Sequence, residues 1–368
     1  MTQAYRQLGV PLSLYSGKTR SYLLHKGLPF SEDLRGGAKA FFWDIPRHTG
    51  AAALPAVITP EGAWLQDSSC IIDALEQRHP ERPVLPATPV LRFAAYLFEL
   101  WGDEFWVPLA MHARWSHAEN MPLFVRESGD ALMPGLPRWL KNLLGRNHVR
   151  KMQAICRNVG IRPEQLALLD RFAQLQLDAL DAHFARHRFL FGGRPSLGDY
   201  GLIAPLYAHL GRDPWPAREL IAPRPHLQAW IARMFEPASS QGGEFQAEDL
   251  PAASLAPALR SICAELLPFV QACAERLARE TPVLPPQSRR AQRYLSEVCT
   301  PMAGGLFRRQ GLSYPVWMAQ RLQDAWRAMN AEDAACVREW LRDQGGEGWL
   351  STELPRVRRV GLAAARLA

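Results

Sequence analysis

The sequence predicts an α+β chain in three parts: a small strand-and-helix domain over residues 1–83, an all-helical domain over 90–238 and an α-helical C-terminal extension over 244–368. Three observations predict it. Apolar residues in the first part come in short runs separated by turn residues, whereas beyond residue 90 they recur at helical spacing. Pro80, Pro83, Pro86 and Pro89 crowd one short stretch and mark a linker. A chain of 368 residues, 48% of them hydrophobic, is too long for one core and has apolar surface enough for two or three.

In the first part, residues 5–9 suit a strand and residues 10–13 a loop. A helix then enters at Ser16 and ends at Lys26-Gly27, a cation in the last turn followed by a capping glycine. Residues 28–34 suit a second strand. Two apolar runs, 56–58 and 63–65, flank Thr59-Pro60-Glu61-Gly62, whose proline and glycine suit a tight hairpin. From Ser68 the apolar positions Ile71, Ile72 and Leu75 lie on one helical face, with Asp67 and Ser68 as capping residues. Strand, helix, strand, connection, hairpin, helix is the order of a thioredoxin-like domain. The unpaired N–H groups and dipole of the helix opening at Asp67-Ser68 suit a carboxylate-bearing ligand.

Leu54-Pro55 before a strand, the hairpin, and Asp67-Ser68 opening a helix of pattern Ile-x-x-x-Leu together resemble the glutathione-binding half of glutathione transferases. The resemblance implies a cis Leu54–Pro55 bond, with the Leu54 backbone pairing with the cysteinyl part of glutathione and Asp67 and Ser68 holding its γ-glutamyl end. Ser13-Leu14-Tyr15-Ser16 stands where relatives carry Ser-x-x-Ser or Cys-x-x-Ser. The resemblance therefore implies that Ser13, or failing it Ser16, supports the glutathione thiolate, since a hydroxyl donor and a helix N-terminus both favour the anion. The alternative is that Ser16 is a plain N-cap and Ser13 a loop residue. Neither position is cysteine, which argues against chemistry through a mixed disulfide. Where many relatives place a lysine or glutamine for the glycyl end, this chain has Ala53; Lys39, Arg47 and His48 lie upstream, and spacing does not choose among them.

In the second part, residues 90–116 read as one long helix, kinked at Pro108, with Trp101, Phe105, His112 and Trp115 on one face. These four are the expected wall of the second-substrate pocket, although such a stripe also fits plain core. Asp103 and Glu104 read as solvated or paired charges. Residues 126–159 are rich in Pro, Gly, Arg and Asn, and Trp139, Leu140, Leu143 and Leu144 suit a short helix over the pocket. Helical periodicity returns over 166–187. Ser196 and Asp199 then form a capping box, which resembles the landmark of the transferase helical domain and has a folding role. The resemblance covers residues 5–235.

Beyond it, residues 239–243 and 281–288 read as linkers, Ser313 as the cap of a later helix, and the tail from Arg356 as a segment packed on the body. No apolar run approaches the roughly 18 residues of a spanning helix, and the first residues lack a signal-peptide pattern, so a cytoplasmic protein without a transmembrane segment is expected. Six cysteines without ligand spacing give no metal site. The net charge of +7 is spread along the chain, which favours a basic soluble surface over nucleic-acid binding. The expectation is a glutathione transferase, a homodimer by resemblance, joining glutathione to an electrophilic, largely apolar small molecule. The alternatives are a non-catalytic binding protein of the same fold, or a glutathione-dependent lyase, isomerase or dehalogenase.

Overall fold

The computed structural model describes residues 4–237 and 242–367. Most of the linker expected at 239–243 lies outside the described residues. The N-terminal sheet has the order β2-β1-β3-β4, with β1 (Tyr5–Leu8) parallel to β2 (Phe30–Asp33) and antiparallel to β3 (Ala56–Ile58), which pairs in turn with β4 (Trp64–Gln66). The parallel pair requires a crossover, and the Leu14–Lys26 helix supplies it. That helix stops at Gly27, whose φ of 65° needs no Cβ penalty. It lies beside the Ser68–Arg78 helix, where Lys18 Nζ donates to Ser69 Oγ at 3.1 Å and Tyr22 Oη donates to Glu76 Oε1 at 2.7 Å. This is a thioredoxin-like domain, and an all-helical part comes after it.

The chain divides into two compact units whose segments alternate along the sequence. The first comprises Met1–Val84, Ala110–Cys156 and Ile203–Gly242; the second comprises Leu85–Leu109, Arg157–Leu202 and Gly243–Ala368. The first holds the sheet and a helical pair, Met121–Leu132 and Arg138–Cys156. The second is built around an aromatic cluster in which Trp101, Phe105 and Trp106 each meet the Phe172 ring edge-on.

The expected 90–116 helix is interrupted. Pro89–Leu100 passes into a widened turn at Trp101–Phe105, and a regular helix resumes at Val107–Trp115. Pro108 lacks an N–H and its ring crowds the carbonyl four residues back, so the disruption falls before the proline rather than at it. The extension carries the helices Leu267–Glu280, Tyr314–Arg327 and Ala331–Asp343. It also contains two hairpins that the helical expectation omits: β5 (Tyr294–Met302) with β6 (Gly305–Leu312), and β7 (Val357–Val360) with β8 (Ala363–Arg366). Ser313 precedes a helix but makes no side-chain cap; its hydroxyl donates to Gln292 O at 2.7 Å. One helical run, Ala253–Glu280, is long and apolar enough to cross a membrane, and 56% of its most apolar window is buried within the protein.

Candidate active site

The sheet register gathers the expected ligand residues. Leu8 pairs with Ala56 and Ala56 with Gln66, so the chain leaving β1, the Leu54-Pro55 step entering β3 and the Asp67-Ser68 step leaving β4 emerge at the same end of the sheet. The Leu54–Pro55 bond is cis, the isomer that the resemblance implies. Asp67 adopts a φ of 81° and its Oδ1 accepts from Ser69 N and Cys70 N, both at 3.1 Å, making it the N-cap of the helix. Ser68 opens that helix and is 6% exposed.

Ser13 and Ser16 occupy different environments. Ser13 is the N-cap of the Leu14–Lys26 helix, with φ −84° and ψ 125°, and its Oγ accepts from Ser16 N at 3.2 Å. A hydroxyl that accepts this bond retains its proton for donation. Ser16 is fully buried and its Oγ accepts from Val10 N at 3.5 Å. Ser13 therefore combines the capping role with a place at a cavity, and Ser16 does not line that cavity.

The cavity measures about 310 Å³ and is mostly apolar. Ser13, Tyr15 and Leu54 line it from the thioredoxin-like domain; Met111, Trp115, Phe124, His148 and Met152 line it from the helices. Of the four expected wall residues, only Trp115 is there. His112 is buried with its Nδ1 2.8 Å from Ser116 Oγ, and Trp101 and Phe105 belong to the aromatic cluster of the second unit. The widened turn explains the correction, because its extra residue rotates the rest of the helix by roughly 100° and breaks the stripe into two faces. Phe124 lay outside the expected wall, although its spacing of four from Ser128 and eight from Leu132, both lining residues, was an available signal.

Arg114 fixes the loop that carries Ser13. Its Nη1 donates to Leu12 O at 2.8 Å, its Nη2 to Ala208 O at 2.7 Å, and its Nε and Nη2 to Asp213 at 2.6 and 3.1 Å. Burial holds the Arg114 guanidinium below its ordinary pKa and Asp213 above its own, and each partner opposes the shift of the other. Burial, and then the nearby Arg114 charge, pushes the cavity-lining His209 well below the usual imidazole range. Burial, and then Lys151, lowers His148 as well. The cavity thus presents neutral imidazoles to an occupant at neutral pH. For the glycyl end, Ala53 offers no side-chain donor and its carbonyl accepts from Gln66 Nε2 at 2.9 Å. His48 stacks on Trp64 at 4.2 Å between ring centres. Among the described residues no group of histidine, cysteine, aspartate and glutamate is arranged to hold a metal ion.

Residues 8–83 match the family model described as Glutathione S-transferase, N-terminal domain, and residues 174–233 match that for the Glutathione S-transferase, C-terminal domain. Similar solved structures include the beta-etherase LigF from Sphingobium sp. strain SYK-6, 19% identical, with 63% of this chain and 94% of that one covered and a TM-score of 0.43. A glutathione S-transferase from Rhodospirillum rubrum F11 is 17% identical, with 68% and 96% covered and a TM-score of 0.39. One from Methylobacillus flagellatus KT with GSH bound is 16% identical, with 64% and 96% covered and a TM-score of 0.38. No curated protein sequence matches the chain.

Proposed function

Since the chain belongs to the glutathione transferase superfamily, we propose that it is a transferase that binds glutathione at Leu54, Asp67 and Ser68 and uses it on an electrophilic, largely apolar second substrate in the adjoining cavity. The observation that carries this reading is that Ser13 and Leu54 line the same apolar cavity.

Glutathione supplies the nucleophilic sulfur. The Leu54 backbone would pair with the cysteinyl part, and Ser68 at the helix start would bind the γ-glutamyl carboxylate with its hydroxyl and its own backbone N–H, since Asp67 already caps Ser69 N and Cys70 N. The Ser13 hydroxyl would donate to the sulfur, favouring the thiolate at neutral pH; the proton passes to solvent. Trp115, Phe124 and Met152 exclude water and hold the substrate carbon in reach, so that the S–C bond forms as the leaving group departs with its electron pair. Arg114 acts by positioning, through the Leu12 carbonyl next to Ser13. A cytosolic setting and a homodimeric state belong to the same proposal.

Calorimetry with glutathione, and turnover of a generic soluble electrophile, test it. Ser68→Ala is expected to weaken glutathione binding about tenfold to a hundredfold, the size of a hydrogen bond to a charged group. Ser13→Ala is expected to bind glutathione nearly as the parent does, to raise the pKa of the bound thiol and to lower turnover. Binding unchanged in both variants would misplace the site. A bound thiol that titrates as in water, with turnover indifferent to Ser13, would favour a non-catalytic binding protein.

A further inference from the structure

The chain carries no acidic residue between Asp130 and Glu164, and the Arg138–Cys156 helix lies within that stretch. Its inner side is occupied. Gly145 is close enough to Val125 that an added Cβ would lie 3.0 Å from Val125 Cγ1, and His148 and Met152 line the cavity. Its outer side is of another character. Trp139 and Leu143 are 69% and 58% exposed, and Arg146 and Arg150 come seven and eleven residues after Trp139, placing all four on one stripe. Leu144, Lys151 and Ile155 are also exposed but share the row of the cavity-lining His148, beside the inner side. Asp130 engages Arg138 and Lys141 at 2.7 and 3.0 Å. Arg146, Arg150 and Lys151 have no acidic partner among the described residues.

We propose that this outer face is a docking surface for an anionic lipid bilayer. An exposed tryptophan and leucine in line with two unpaired arginines match a membrane interface in both respects. The indole and the leucine side chain enter the headgroup–acyl boundary while the arginines meet lipid phosphates and carboxylates. The other occupants fit less well. A second copy of this face would set cation against cation with no carboxylate between them, and a nucleic acid would leave Trp139 and Leu143 without an apolar partner. The inference is independent of the glutathione reading, because none of the stripe residues lines the cavity.

The test is flotation of the full chain with vesicles of phosphatidylcholine alone or of phosphatidylcholine with phosphatidylserine. Binding is expected to the anionic vesicles only, to weaken as salt rises, and to fall at least tenfold in the double variant Arg146→Glu/Arg150→Glu and several-fold in Trp139→Ala. These side chains are solvent-exposed, so both variants are expected to melt as the parent does and to turn over a soluble electrophile at the parent's rate. Failure to bind anionic vesicles, equal binding to neutral ones, or a charge-reversed double variant that floats like the parent would overturn the proposal. So would a parent dimer that Trp139→Ala converts to monomer, which assigns the face to a second copy, or a DNA duplex that binds this face more tightly than the vesicles do.

Discussion

Single side chains in this protein are defined by what surrounds them more than by their type. His183 is an example. Its Nε2–H donates to Phe189 O at 3.3 Å and its Nδ1 lies 2.8 Å from Ser254 Oγ, so the neutral ring with its proton on Nε2 has a partner at both nitrogens. Burial, and then the neighbouring His187, pushes its pKa down to about 4. In the unfolded chain a histidine titrates near ~6.5, so as pH falls through that value the unfolded state takes up the proton first. The stability that the neutral ring contributes is therefore whole above pH ~6.5 and is lost between there and about 4, up to about 3 kcal/mol in all. Urea midpoints measured across that window are expected to fall less steeply for His183→Gln than for the parent; parallel profiles would contradict the assignment. Ser13 and Ser16 illustrate how far sequence reaches at this scale. Their spacing marked both as candidates for the start of the helix, but which hydroxyl lines a cavity depends on depth. Ser16 is enclosed by the turn after β1, where a Cβ on Gly9 would lie 3.0 Å from its Oγ. No local pattern encodes that enclosure.

Among the elements, the capping box was fully legible, because its partners are three residues apart. Asp199 Oδ2 accepts from Ser196 N at 2.8 Å and from Ser196 Oγ at 2.7 Å, Ser196 Oγ accepts from Asp199 N at 3.4 Å, and Asp199 Oδ1 also accepts from Leu190 N at 3.0 Å. Asp199 is completely buried, so Asp199→Ala would leave two backbone N–H groups and a hydroxyl unsatisfied. The expected loss is about 2–4 kcal/mol, seen as a lower denaturation midpoint with the m-value unchanged. Less legible were elements whose apolar pattern departs from the core. The Arg138–Cys156 helix exposes Trp139 and Leu143, so its most conspicuous residues lie opposite the face that meets the cavity. The β5–β6 hairpin shifts register between Leu295 and Glu297, which breaks the period of two by which a strand is recognised.

At the scale of the whole chain, the structure joins what sequence order separates. The thioredoxin-like arrangement could be read from local turns and caps, whereas the alternation of segments between the two units depends on contacts across hundreds of residues. In the second unit, Asp249 accepts from Val90 N and Leu91 N at 3.1 and 2.9 Å, capping the Pro89–Leu100 helix, and Arg321 pairs with the buried Glu99 at 2.7 Å. The extension is thus a constituent of that unit. A fragment ending at residue 243 is expected to remove the Arg321 partner of the buried Glu99 and the Asp249 cap of the helix start. It should lack the near-ultraviolet dichroism of the full chain and elute as aggregate in gel filtration. A fragment that melts cooperatively with the parental spectrum would show the extension to be dispensable.

The same alternation has a consequence for synthesis on the ribosome. Phe93 meets Trp340 edge-on in the finished second unit. At about 5–20 residues per second, the side of the Pro89–Leu100 helix that carries Phe93 is made roughly 12–50 s before this partner. Pausing within residues 243–340 prolongs that interval. The speed of translation through the last third of the chain therefore bears on how much of it folds.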